Sequence, residues 1–134
     1  VNVKRTEELK LAESMDVVRV RQTVRAWMVE EGFGLVDQTK MVTAASELAR
    51  NAVDYAGGGV ARLEQLVEGA RVGLRITFTD HGPGIPDLEL ALTDGYTTGN
   101  GLGMGLGGSR RLVNEFAIES SPGQGTVVTV TRWR

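Results

Sequence analysis

Residues 97–112 read TTGNGLGMGLGGSRRL, and no other stretch limits the possible folds so strongly. Glycine at almost every second position is unfavourable inside a helix or strand, because it gives up the most backbone freedom on folding. Yet the run leads into Leu106, Leu112, Val113 and Phe116, an amphipathic spacing that predicts a helix. A flexible linker would need no apolar face. Bare backbone N–H groups can approach an anion closely, and a helix starting directly after the loop adds partial positive charge. The run therefore points to a phosphate-binding loop. It lacks the Gly-Lys-Ser/Thr ending of a Walker loop, and no parallel βαβ unit surrounds it as a dinucleotide fingerprint requires.

Composition removes several classes of chemistry. The 134 residues suit one domain spanning 1–134. The chain has no cysteine, so it has no disulfide framework, thiolate nucleophile or cysteine metal site. Its one histidine, His81, cannot build a histidine-rich zinc centre. With 15 Lys+Arg against 17 Asp+Glu, the net charge of −2 speaks against nucleic acid as the main partner. No apolar run is long enough to cross a bilayer, and the opening VNVKRTEELK does not read as a signal peptide. A soluble, cytoplasmic protein without a membrane partner is expected.

The order of elements follows from periodicity. Residues 1–11 suit an edge strand, and Ser14 is placed to cap a helix, with Asp16 favouring its positive end. Val17, Val20, Val24, Trp27 and Met28 continue that helix until Gly32 and Gly34. A second helix, capped by Asp37, presents Met41, Ala45, Leu48 and Ala52 and stops at the AGGG of residues 56–59. Residues 60–67 and 71–79 predict a hairpin, the second strand alternating cleanly through Val72, Leu74, Ile76 and Phe78. A third helix is expected over 107–116, and a second hairpin over 117–121 and 126–133. The implied class is α/β, a two-layer sandwich with a mixed, mostly antiparallel sheet covered by helices on one face.

Three polar positions interrupt this pattern. Continuing the alternation places Asp80 on the face of Phe78 and Ile76, where a carboxylate needs donors and a ligand amine could be one. Taken alone, Asp80 followed by HGPG reads as ordinary turn chemistry. Thr126 shares its face with Val128 and Val130, although a strand threonine is more often structural. Glu47 and Asn51 stack four apart on the second helix and could handle a proton and a hard metal ion. A solvated helix flank is the commoner meaning of such a pair.

Four segments in order, SELARN (46–51), DHGPGI (80–85), GNGLGMGLGG (99–108) and GQGT (123–126), resemble the N, G1, G2 and G3 boxes of the Bergerat-fold, or GHKL, ATP-binding superfamily. That superfamily includes gyrase, Hsp90, MutL and the histidine kinases. Each box is weak alone, but four in order cover most of the chain. More narrowly, SELARNAVDYAG and DGYTTGNGLGMGLGGSRRLVNEF resemble the small bacterial serine kinases that phosphorylate STAS-domain antagonist proteins. Within these, the nearest resemblance is to the stressosome switch kinases, with the anti-sigma-factor kinases next.

The resemblance implies ATP and Mg²⁺ as cofactors and a role for each matching residue. Asp80 would accept from the adenine amino group, and Thr126 would support the base. Gly82, Gly84 and Ile85 belong to the same nucleotide loop, Gly84 permitting its close turn. Asn51 would give an oxygen to Mg²⁺, which typically keeps waters and bridges phosphates. Gly101, Gly103, Gly105 and Gly107 would surround the phosphates, with Met104 and Leu106 in the same set, and residues 87–99 would form a lid. Glu47 would orient or deprotonate the attacking hydroxyl. One departure is visible: anti-sigma-factor kinases often carry a basic residue in the lid, and DLELALTDGYTTGN (87–100) has none. Arg110 and Arg111, nearby in sequence, suit solvent exposure or partner contact.

The implied function is an ATP-dependent serine/threonine kinase in a stress-response partner-switching pathway. Its substrate would be a STAS-domain protein and its second partner a PP2C-type phosphatase, and a homodimer is compatible. The alternative is an anti-sigma factor that binds a sigma factor and phosphorylates its antagonist. A histidine-kinase catalytic domain is disfavoured because His81 lies inside the nucleotide loop. A bare ATPase would turn over without a protein acceptor.

Overall fold

The computed structural model describes residues 1–85, 87–92 and 105–134. The elements run β1 (Asn2–Leu11), α1 (Ser14–Glu30), α2 (Leu35–Tyr55), β2 (Gly59–Glu68), β3 (Arg71–Asp80), α3 (Leu88–Ala91), α4 (Gly105–Arg111), β4 (Glu115–Ser120) and β5 (Thr126–Trp133). The strands form one sheet in the order β1-β2-β3-β5-β4, and every described pairing is antiparallel. Alternation decides which side of each strand is buried. Ala61, Leu63, Leu74, Ile76, Phe78, Val128 and Val130 meet Val20, Val24, Trp27, Met28, Met41, Leu48 and Ala49 from α1 and α2 in one core. Removing a fully buried side chain such as Leu74 or Ile76 would cost roughly 2–5 kcal/mol, because the cavity adds to the lost transfer energy.

The edge strand is fastened through an aromatic side chain. Trp27 is fully buried on α1, and its indole N–H donates to Glu7 of β1 at 3.2 Å. The Arg5 guanidinium lies 4.1 Å from the Trp27 ring centroid and pairs with Glu30 at 2.8 Å. Burying the ring while its N–H keeps a partner is the arrangement a core tryptophan requires.

The two-layer, mostly antiparallel plan holds, with local differences. Ser14 is the first residue of α1 rather than its cap; Glu13 takes the cap position. Asp16 does sit in the first turn, where its carboxylate accepts from the backbone N–H groups of Ala12 and Glu13 at 2.8 and 3.0 Å. These two donors, followed by the nearby Arg19 guanidinium, hold the Asp16 carboxyl below its ordinary value. Gly34, not Asp37, caps α2; Asp37 lies in the first turn and pairs with Arg132 at 2.6 Å. The third helix ends at Arg111 instead of continuing to 116. Asn114 stops it by giving its backbone N–H to Thr131 and accepting the Trp133 N–H, which feeds the chain into β4.

Candidate nucleotide site

Asp80 ends β3 opposite Gly59 of β2 and Thr126 of β5. Its Oδ1 accepts two backbone N–H groups, from Gly82 at 3.0 Å and Thr126 at 3.2 Å. Among the described residues Oδ2 has no donor. An acceptor oxygen on a carboxylate clamped by its own backbone is preorganised for a ligand N–H.

Next to it lies a pair of hydroxyls. Ser120 Oγ accepts the Ile85 N–H at 2.8 Å, donates to the Gly125 carbonyl at 3.1 Å and lies 2.8 Å from Thr126 Oγ1. Ser120 has a single hydrogen, and the Gly125 carbonyl takes it. Thr126 must then donate in the hydroxyl pair, which leaves its own oxygen as an acceptor. Ser120 thus joins Ile85 to Thr126, and the Thr126 N–H in turn reaches Asp80. Ser120 is absent from the sequence expectations, yet it lies two positions beyond Ile118 on one strand face, the same signal that marks Thr126.

Close backbone packing fixes the loops around these groups. Gly84 has φ +78°, and a Cβ there would run into the Ser121 carbonyl oxygen. Gly123 donates its N–H to Pro83 at 2.7 Å, locking the same two loops together. A Cβ on Gly82 would sit 2.6 Å from Ala56 Cβ, so the loop after β3 is pressed against the end of α2. That end is held by a 2.8 Å bond from the Gly58 N–H to the Ala52 carbonyl.

The same half of α2 carries Glu47 and Asn51. Asn51 is half-buried. Glu47 is buried, its side chain 7% exposed, and its Oε2 lies 3.7 Å from Nη1 of Arg50. A solvated flank would leave the carboxylate open, so that simpler account does not describe Glu47. On the far side, α4 packs on α2, with Leu106 and Gly107 buried and Ser109 donating to the Gly105 carbonyl at 3.1 Å. Arg132 braces the turn after α4, giving one N–H to the Leu112 carbonyl at 2.9 Å and two to Asp37.

Gly101, Gly103 and Met104 lie outside the described residues, as does the part of the expected lid beyond residue 92. Its described part contains α3, where Asp87 accepts the Leu90 N–H at 3.0 Å. Arg110 and Arg111 are exposed.

As to metal, among the described residues no cluster of three or more acidic, histidine or cysteine side chains could hold an ion. The Asn51 amide oxygen is a hard donor of the kind Mg²⁺ takes when waters and phosphates complete its shell. Asn51 is thus a residue that would suit Mg²⁺. No helix among the described residues is long and apolar enough to cross a membrane.

Comparison with known proteins agrees with this geometry. Residues 36–133 match the family model described as histidine kinase-, DNA gyrase B-, and HSP90-like ATPase. The chain is 43% identical over 125 residues to the serine/threonine-protein kinase RsbT of Bacillus subtilis, covering 93% of this chain and 94% of that one. It is 34% identical over 116 residues to an anti-sigma F factor of Pasteuria penetrans, covering 81% and 76%. Among solved structures, the RsbU and RsbW domains of Rv1364c from Mycobacterium tuberculosis superpose with a TM-score of 0.65 at 23% identity, over 98% of this chain and 33% of that longer one. The catalytic domain of the histidine kinase ThkA superposes at 0.52 and 17% identity, over 96% and 95%. These two structures speak for the fold alone. A model match over most of the sequence, with a relative alike over nearly its full length, places the chain in the histidine kinase-, DNA gyrase B- and HSP90-like ATPase family.

Proposed function

We propose that this protein is a cytoplasmic, ATP-dependent serine/threonine kinase that phosphorylates a STAS-domain protein in a stress-response partner-switching pathway, with a PP2C-type phosphatase as a second partner. The observation that carries the reading is the 43% identity to a serine/threonine-protein kinase over nearly the whole of both chains. The site supports it from below: Asp80 Oδ1 is fixed by two backbone donors, leaving the other oxygen for an adenine amino group. Thr126 Oγ1 offers a further acceptor beside the base, directly or through a water.

In this reading Asn51 would hold Mg²⁺, which would supply positive charge to the phosphates. Glu47 takes the proton as the acceptor hydroxyl oxygen bonds to the terminal phosphorus. The bond from that phosphorus to the bridging oxygen breaks, and ADP leaves. Burial of Glu47 limits competing solvent at the base. Gly82, Gly84 and Ile85 line the base end, while Gly101, Gly103, Met104, Gly105, Leu106 and Gly107 serve the phosphates.

Incubating the purified protein with γ-labelled ATP and the STAS proteins of its own genome tests the reading. Acid-stable label on one of them is expected; label on none would contradict it. A second reading, an anti-sigma factor that also phosphorylates its antagonist, is favoured by the likeness to anti-sigma F factors. Co-purification of a sigma factor with the tagged protein would decide for it.

A further inference from the structure

A kinase built this way needs positive charge at the terminal phosphate besides Mg²⁺, and residues 87–100 contain no Lys or Arg. Arg132 is committed to Asp37 and the Leu112 carbonyl. Arg50 is placed differently. It directly precedes Asn51, its side chain is 45% exposed, and its one ion-pair contact among the described residues is the 3.7 Å approach to Glu47. That distance is too long for a hydrogen bond, so only charge holds the guanidinium there. A guanidinium resting on Glu47 also competes for the electron pair that must take the hydroxyl proton. A terminal phosphate offers several anionic oxygens in the geometry that a planar guanidinium fits best.

We propose that Arg50 is the side-chain cation of the terminal phosphate, moving from the Glu47 carboxylate to a phosphate oxygen when ATP binds and thereby releasing Glu47 to act as base. This rests on the kinase reading above. ADP lacks the group that draws Arg50 away, so the residue distinguishes the triphosphate from the diphosphate.

Calorimetry of Mg·ATP and Mg·ADP binding to the parent, Arg50→Ala and Arg50→Lys forms tests it. Arg50→Ala should lose roughly 10- to 100-fold in ATP affinity, the range of a hydrogen bond to a charged group, with ADP affinity unchanged. Arg50→Lys should recover part of the ATP preference, since it keeps the charge without the fork. Phosphoryl transfer by Arg50→Ala should fall in kcat, while KM for the STAS acceptor holds. Equal losses for ATP and ADP, an unaltered ATP-to-ADP ratio, or faster transfer would overturn the proposal. A parent protein that binds neither nucleotide would overturn the kinase reading with it.

Discussion

Asp80 and Glu31 stand at opposite ends of the sandwich and obey different rules. Val72, whose carbonyl accepts the Arg134 backbone N–H, is the second residue of the strand that Asp80 closes, roughly 26 Å away at about 3.3 Å per residue. At the nucleotide end, Asp80 has two backbone donors on one oxygen. At the other end, Glu31 follows α1 with both carboxylate oxygens buried and, among the described residues, without a hydrogen-bond partner. Its arginine neighbours are engaged elsewhere: Arg5 with Glu30 and Trp27, and Arg134 with the backbone carbonyl of Glu31 at 2.7 Å. Burial pushes the Glu31 carboxyl up to about 7, an effect that Glu30 reinforces and that Arg5 and Arg134 only partly oppose. Asp16, at the start of the same helix, moves the opposite way because two backbone N–H groups reach it. Fixed donors make an acid a ready receptor; their absence makes it a place where the fold holds a proton.

The largest expected effect belongs to the nucleotide end. Glu47→Gln should bind ATP nearly as well as the parent yet transfer phosphate about 10²–10⁴-fold more slowly, the usual scale of a general base. Transfer at the parental rate would remove Glu47 from the chemical step. Asp80→Asn keeps the shape but replaces an acceptor oxygen with a donor. It should weaken ATP binding by about 1–3 kcal/mol, roughly 10- to 100-fold, and unchanged affinity in calorimetry would contradict the adenine role. Asn51→Ala should leave the fold intact and lower ATP affinity about tenfold in the presence of Mg²⁺ only. The same loss with a chelator present would show that Asn51 does not act through the metal.

At the other end the effect is on stability and has a definite sign. Because the folded-state value of Glu31 is raised, its contribution is complete below the ordinary value of 4.5 and is lost as pH rises through about 7. The melting temperature should therefore fall between pH 5 and pH 8. The loss is on the order of 1–2 kcal/mol, less than the full shift because the surroundings can relax around the charged form. Glu31→Gln should flatten that dependence without altering ATP affinity. A pH profile identical in parent and variant would show that Glu31 holds no such proton.

The two ends also differ in how much of each could be read from sequence. Asp80 and Thr126 were legible because each continues an apolar alternation with a polar side chain, a break that only strand periodicity makes visible. The sheet is legible from the same period of two, and the first two helices from apolar spacing of three and four. Glu31 gave no signal, since its burial depends on Gly32 turning the chain and on Arg134 crossing over from the far end of the sequence. Sequence spacing extends the third helix too far because Val113 and Phe116 have helical spacing, while the bonds from Asn114 to β5 that end it are long-range. The i,i+4 spacing of Glu47 and Asn51 gives no hint of the Arg50–Glu47 ion pair, which runs at i,i+3.

The central claim is that the acids of the nucleotide end serve transfer to a separate protein rather than to water. The direct measurement is a single-turnover experiment that counts ADP against phosphoserine and phosphothreonine, with and without a STAS-domain acceptor. The account predicts one acid-stable phosphate on the acceptor per ADP formed, and ADP formation that depends on the acceptor. ADP released at the same rate without an acceptor, or a phosphate that acid removes, would contradict it.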